Sequence, residues 1–391
     1  MTPIRGFALA LTGLLIALAI GLWLGGHPTS LPGFLRDTFV EDDHALHAEV
    51  IDTIEDNYYR KVSKDTLEQQ SLRGIVEALH DPFSHYVSPS EAERFRESIQ
   101  GEFEGVGMTV EEHRRGLRVL TVFQNTPARR AGIGPGDLII AVNGRSIAGL
   151  ASDVATARIK GPAGTSVRLR LLKPGSKKPR DLALRRRRIE LPVAQGRVAM
   201  RDGRKLAVIR LLSFTTGSHG LLRRQVDRAL DRVAKGIVLD LRGNGGGLLR
   251  EAVLVSSIFV QSGDIVSVRG RKRRNRTETA VGDAIDERIP LVVLVDRGSA
   301  SASEITTGAL RDRGRATVVG TRTFGKGLVQ EVEPLANGGV LDITVAKYYL
   351  PDGETITRAG LRPQVPARDN PRTRRDEALS VAFDTLLRKR R

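Results

Sequence analysis

Apolar residues form one uninterrupted stretch near the amino terminus and recur periodically through most of the remainder. Residues 7–24 make a nearly unbroken apolar run after Arg5, about the length of a helix that spans a bilayer core. The run exceeds a typical signal-peptide core, and no small-x-small cleavage site follows in Gly25-Gly26-His27-Pro28, so an uncleaved signal anchor is expected. From about 37 to 100 the apolar positions return at helical spacing: Leu46, Val50 and Ile54, then Leu72, Ile75 and Leu79. Asp81-Pro82 breaks this pattern before a further helix around 91–99. A small helical cap is predicted, with stripes that serve either as core within the chain or as a contact with a second copy.

After Gly101 short runs rich in Val, Leu and Ile, at 117–123, 138–142, 167–172 and 181–184, are punctuated by glycines and predict a small β-rich domain. Beyond 191, strands at 206–212, 237–241 and 291–295 alternate with helical stretches such as 221–234, the pattern of a mixed α/β layer. The expected architecture is therefore multidomain: a membrane helix and linker (1–37), a helical N-terminal cap (38–100), a β-rich domain (101–190), an α/β core (191–368) and a basic tail (369–391).

Composition narrows the chemistry. The 391 residues contain no cysteine, which removes disulfides, thiolate metal sites and a Cys nucleophile together. The formal charge of +17 attracts anionic partners without naming them. Its clusters at 185–188, 271–274 and 388–391 lack interleaved aromatics for base stacking, so they read as solvated surface with weak attraction to anionic lipid, and no nucleic-acid partner is expected. The anchor would place the chain at the cell membrane, with the part after it expected on the extracytoplasmic side.

A hydrolytic site needs a nucleophile, a base and a place for the oxyanion. His27, His44, His47, His80, His85, His113 and His219 are scattered singly and none lies beyond 219, so a Ser-His-Asp triad is poorly supplied. No paired metal-ligand spacing appears near them, and neither a metal nor a cofactor is expected. The apolar strand at 291–295 runs through Asp-Arg-Gly-Ser-Ala-Ser-Ala-Ser-Glu (296–304) into an amphipathic helix. Unpaired N–H groups at such a helix start favour an alkoxide or tetrahedral oxyanion, making Ser301 the candidate nucleophile and the Ala302 N–H one oxyanion donor. Thr-Phe-Gly-Lys-Gly (323–327) supplies a candidate base in Lys326, which would have to act as a desolvated neutral amine. Gln330 is placed either to orient that amine or to serve as an ordinary polar strand residue. The glycine cluster after 239–244 offers free N–H groups to a substrate carbonyl. Taken alone, Ser301 reads more readily as a helix cap and Lys326 as an exposed turn lysine.

The motifs occur together and in order. His-Asp-Pro-Phe-Ser-His-Tyr (80–86), Gly-Glu-Phe-Glu-Gly-Val-Gly (101–107), Asp-Leu-Arg-Gly-Asn (240–244), Gly-Ser-Ala-Ser-Ala-Ser-Glu (298–304), Thr-Phe-Gly-Lys-Gly-Leu-Val-Gln (323–330) and Tyr-Tyr-Leu-Pro-Asp-Gly (348–353) resemble the carboxy-terminal processing peptidases, the tail-specific Ser/Lys proteases of family S41. The resemblance runs from about 45 to 366. It implies Ser301 as nucleophile, Lys326 as general base, Gln330 as its orienting partner, and the Gly246, Gly247 and Ala302 amides at the oxyanion. Gly245 stands where the family often has proline, and Asp296-Arg297 where an Asn is frequent. The same resemblance makes 101–190 a PDZ domain whose Gly105, Val106, Gly107 and Met108 form the carboxylate-binding loop for a peptide added as an extra strand.

The implied function is a membrane-anchored serine endopeptidase. It would cleave exported or membrane proteins near free C-terminal tails, with PDZ-mediated recognition and gating and a possible homo-oligomer through the N-terminal helices. The competing reading is an anchored PDZ scaffold with a silent protease-like domain.

Overall fold

The computed structural model describes residues 42–150, 152–176, 178–370, 372–373 and 375–388. The expected membrane segment at 7–24 lies outside the described residues, and among those described no helix is long and apolar enough to cross a membrane. The chain forms two compact units, one ending at Ser88 and including Val340–Asp342, the other comprising the rest.

In the smaller unit, α1 (Asp42–Asn57) and α2 (Lys64–Glu77) precede β1 (His85–Val87). Ser63 sits in extended backbone before α2 and accepts the Thr66 N–H, satisfying one of the orphan donors of that helix start. β1 pairs antiparallel with residues 340–342, His85 opposite Asp342. Ile51 and Val76 are buried, but the stripe predicted from Leu46, Val50 and Ile54 is 61%, 49% and 37% exposed. Among the described residues, that stripe is therefore not intrachain core.

The larger unit opens with α3 (Pro89–Gln100) and β2 (Glu102–Gly105), followed by β3 (Met108–His113), β4 (Gly116–Val122), α4 (Pro127–Arg130), β5 (Leu138–Val142), β6 (Arg145–Ser146), α5 (Ser152–Ile159), β7 (Ser166–Leu172), β8 (Arg180–Arg185) and β9 (Arg187–Glu190). An antiparallel sheet runs β3-β4-β5-β7-β8, with β6 against β5. Val167, Leu169 and Leu171 of β7 are buried while their neighbours Arg168 and Arg170 are exposed, the period of two expected of a half-buried sheet. β3 ends this sheet and so carries an open strand edge.

Next come β10 (Ala194–Arg201), β11 (Arg204–Leu211), α6 (Ser218–Asp231), β12 (Ile237–Asp240), α7 (Leu249–Ser257), β13 (Asp264–Arg269), β14 (Arg276–Thr279), β15 (Leu291–Val295), α8 (Ala302–Asp312), β16 (Thr317–Gly320), β17 (Leu328–Pro334), β18 (Val340–Tyr349), β19 (Val365–Pro366) and α9 (Glu377–Arg388). The central sheet is ordered β10-β11-β12-β15-β16-β19, parallel from β11 onward. Its strands explain their own composition. Ile237, Leu239, Leu291, Val293 and Val295 face a core shared with α6, α7 and α8, whereas Val238, Val292, Leu294 and Val319 face a second core with α9. A strand covered on both faces has no polar side, hence the continuous apolar runs.

The segment expected to be a basic tail thus ends in a packed helix. Ala378, Leu379, Ala382, Phe383 and Leu386 are buried at helical spacing, and the arginines around them had masked that stripe. A smaller sheet pairs β13 with β14 and β18, and β17 with β18.

Candidate active site

Three loops leave the carboxyl ends of three adjacent parallel strands: 241–248 from β12, 296–301 from β15 and 321–327 from β16. Open α/β sheets build their sites at such edges, where loops converge and helix N-termini point outward. Here the convergence gathers the glycine cluster, Ser301 and the Lys326 loop.

Ser301 closes the turn between β15 and α8 with φ 55° and ψ −116°. A non-glycine residue there carries strain on the order of 1–3 kcal/mol, sustained only if its surroundings hold it. They do, through a lattice of short bonds. Ala300 N–H donates to Asn244 O (3.0 Å), Ser299 Oγ to Leu241 O (2.8 Å) and Ser303 Oγ to Asn244 O (2.9 Å). Asp296 Oδ1 accepts the N–H groups of Gly243 (2.8 Å) and Gly298 (2.9 Å). Ser299 and Ser303 are therefore structural serines, and Asp296 ties the two loops together as an acceptor.

The Ser301 side chain is buried, and its Oγ lies 2.9 Å from the Tyr348 hydroxyl on β18. Burial pushes the Tyr348 phenol up to about 12, the Ser301 bond opposing it, so the group is neutral at ordinary pH. Tyr348 opens the Tyr-Tyr-Leu-Pro-Asp-Gly motif, and the sequence alone assigns it no role. Nothing in the sequence brings it within reach of Ser301.

Gly246 packs directly beneath the turn. A Cβ there would lie 2.7 Å from Ala300 O, 2.8 Å from Ser301 Cβ and 2.9 Å from Ala302 N, at a left-handed φ of 100°. Only glycine lets the loop backbone pass this close to Ser301 and to the N–H at the first position of α8. The Gly246 N–H itself donates to Asn244 Oδ1 (2.9 Å), and Asn244, fully buried, donates its Nδ2 to Leu211 O (2.8 Å). Gly247 adopts φ 143° with Phe214 O so close that a Cβ would sit 2.4 Å from it. At Gly245 nothing lies within 4 Å of an added Cβ, so the site has room for a larger residue.

Lys326 is half-buried, and its backbone N–H donates to Glu304 Oε2 at 2.9 Å. The same oxygen accepts the Ser301 N–H at 2.9 Å, which sets the two backbones two hydrogen-bond lengths apart. Gln330 follows on β17, where its Nε2 donates to Thr344 Oγ1 (3.1 Å). His219 lies at the start of α6 and bonds Glu251 through Nδ1 (2.8 Å) and its own N–H (2.9 Å), a helix-start role apart from Ser301.

In the β-rich domain, Gly105, Val106, Gly107 and Met108 link β2 to the edge strand β3. Their carbonyls anchor the next loop: Val106 O accepts Ala128 N–H (2.9 Å), and Gly107 O accepts Phe123 N–H (3.0 Å). Thr126 Oγ1 also donates to Gly107 O (3.3 Å). The geometry is a turn fixed from one side at the start of an open strand edge.

The sequence profile described as Peptidase family S41 matches residues 205–367, and that of the PDZ domain matches 105–184. A carboxy-terminal-processing protease of Bartonella bacilliformis is 36% identical across 82% of this chain and 74% of its own length. The carboxy-terminal processing protease CtpA of Bacillus subtilis is 34% identical across 92% and 76%. Among solved structures, a photosystem II D1 C-terminal processing protease is 30% identical over 84% of this chain and 94% of that one, with a TM-score of 0.49.

Proposed function

The chain belongs to peptidase family S41, the carboxy-terminal processing proteases, as a serine-type peptidase with a PDZ domain, and from that premise we propose that it cuts with a Ser301/Lys326 dyad. The observation that carries this reading is the Ser301 turn: a strained, buried serine at the head of α8, with the Gly246 backbone packed closely against it.

The steps follow from the atoms. Lys326, as a neutral amine, takes the Ser301 hydroxyl proton while Oγ attacks the scissile carbonyl carbon. The tetrahedral oxyanion forms towards the Ala302 N–H, where the head of the α8 dipole also favours negative charge. Gly247 is the better second donor, because the Gly246 N–H is engaged by Asn244 Oδ1. Gly246 contributes the close approach of its loop to the Ser301 turn. The Lys326 ammonium then protonates the departing amine, and water repeats the sequence on the acyl-enzyme. Gln330 Oε1 is suited to accept an N–H of the Lys326 amine while its Nε2 stays on Thr344.

Substrates are proteins with free C-terminal tails, exported or embedded in the membrane, on the extracytoplasmic side where the 7–24 segment would anchor the enzyme. The turn at 105–108 and the β3 edge fit a tail added as a strand, with its carboxylate on backbone N–H groups, and this binding gates the dyad. The exposed α1 stripe of Leu46, Val50 and Ile54 suits a second copy of the chain.

Wild type, Ser301→Ala and Lys326→Ala would be compared on an unfolded protein carrying a C-terminal tail. Each variant is expected to lose at least about 10³-fold in kcat, as removal of a nucleophile or its base does elsewhere. Cleavage by either variant at the wild-type rate would sink the dyad.

A further inference from the structure

Beyond the dyad, one buried side chain touches both of its members' backbones without belonging to either turn's visible chemistry. Glu304 occupies the third position of α8 and is fully buried. Its Oε2 accepts the N–H groups of Ser301 and Lys326, both at 2.9 Å. Its Oε1 accepts the Gly325 N–H at 2.8 Å and the Thr323 hydroxyl proton. Thr323 donates in that contact, since a carboxylate oxygen only accepts, and its Oγ1 accepts the Leu361 N–H at 2.7 Å. Four donors therefore converge on two oxygens. Two of the four positions are the proposed nucleophile and base.

We propose that Glu304 is the positioning residue of this peptidase, a buried carboxylate that holds the Ser301 turn and the Lys326 loop in register for proton transfer. The proposal rests on the Ser301/Lys326 reading. Two features argue for positioning over plain stabilisation. A buried carboxylate is a poor stabiliser, since apolar replacements of similar volume are often neutral or better. In addition, all four partners are donors, so the ionised carboxylate alone matches them, and an amide would turn its NH2 towards two N–H groups. Burial pushes the Glu304 carboxyl above the ordinary glutamate range, with the four donors pulling the other way.

The test uses the full chain and a peptide substrate in the presence of a tail peptide. Glu304→Gln keeps the shape and loses the match. Its kcat is expected to fall about 100-fold with KM within about twofold, the signature of misplaced reacting groups. Labelling of Ser301 by a fluorophosphonate should slow in parallel, while thermal unfolding of the variant stays cooperative. A folded Glu304→Gln enzyme within threefold of wild-type kcat would overturn the proposal, as would a loss expressed only in KM. If that variant does not fold, Thr323 decides: Thr323→Val is expected to lower kcat about tenfold and Thr323→Ser to restore it. Equal kcat in both would overturn the proposal as well. Ser301→Ala and Lys326→Ala run alongside separate the two readings. Both inactive with Glu304→Gln unimpaired defeats positioning alone, and activity in either alanine variant defeats the dyad beneath it.

Discussion

The close approach at Gly246 makes a single methyl group costly. Gly246→Ala would place that methyl 2.8 Å from Ser301 Cβ and 2.9 Å from Ala302 N, against backbone that cannot retreat without unmaking the Ser301 turn. The expected result is a kcat loss of at least about 100-fold, the scale of losing one oxyanion donor, with a stability cost of about 1–3 kcal/mol from the left-handed φ. Gly245→Ala is the contrast, since its Cβ would meet nothing within 4 Å. It should stay within about 0.5 kcal/mol of wild type in urea unfolding, as open surface sites do. Equal kcat for the two alanine variants would mean the close packing at Gly246 has no part in catalysis. At this scale the sequence was legible where a residue's role is local. Ser301 and Ala302 announce themselves by a strand turning into a helix. Glu304 and Tyr348 do not, because their partners stand about 20 and 47 positions away and only the fold brings them within reach.

Elements were legible wherever one periodicity governed them. The strands β5 and β15 fall where the apolar runs put them, and β7 and β12 differ by a single residue. β13 and β14 each hold one arginine and flank the basic run at 271–274, which drew the reading to that segment as solvated surface, and α9 hid its apolar stripe among basic neighbours. The first stripe, on α1, was legible as a helix but not in its destination. Leu46, Val50 and Ile54 lie four residues apart on one face and stand in solvent, an exposure that a second copy of the chain would relieve. Replacing all three with glutamate should leave the fold intact, since none is core, and shift the species seen by light scattering from dimer to monomer. A wild-type chain that is already monomeric at high micromolar concentration refutes this partner.

Across the whole molecule, one arginine connects the glycine loop after β12 to α9. Arg242, just past β12, donates to Asp240 (2.8 and 3.0 Å), to both oxygens of Asp376 (2.8 and 2.9 Å) and to Asp369 (2.9 Å). Burial opposes its charge, yet the bonds to Asp240 and Asp376 raise its pKa above the ordinary arginine range. Asp376 stands at the start of α9, the helix that covers the second face of the central sheet. Arg242 thus fastens that cover to the loop that carries Gly246. Arg242→Ala would leave three carboxylates together without their cation, and a loss of about 2–3 kcal/mol is expected, below the cost of breaking a fully buried pair because Asp369 and Asp376 are partly exposed. The pH dependence has a definite sign. Burial pushes the Asp376 carboxyl up, but Arg242 and the Leu379 N–H hold it below the ordinary aspartate value of 3.8. A depressed carboxyl stabilises the fold above its unfolded pKa and loses that contribution as pH falls through the folded one. The stability gap between wild type and Arg242→Ala, measured by urea unfolding, should therefore be widest above about pH 5 and narrow below about pH 4. A gap that stays constant from pH 7 to pH 3 would mean that Arg242 acts by packing alone. In that case α9 would be held to the sheet by its apolar face, with no electrostatic tie to the active-site loop.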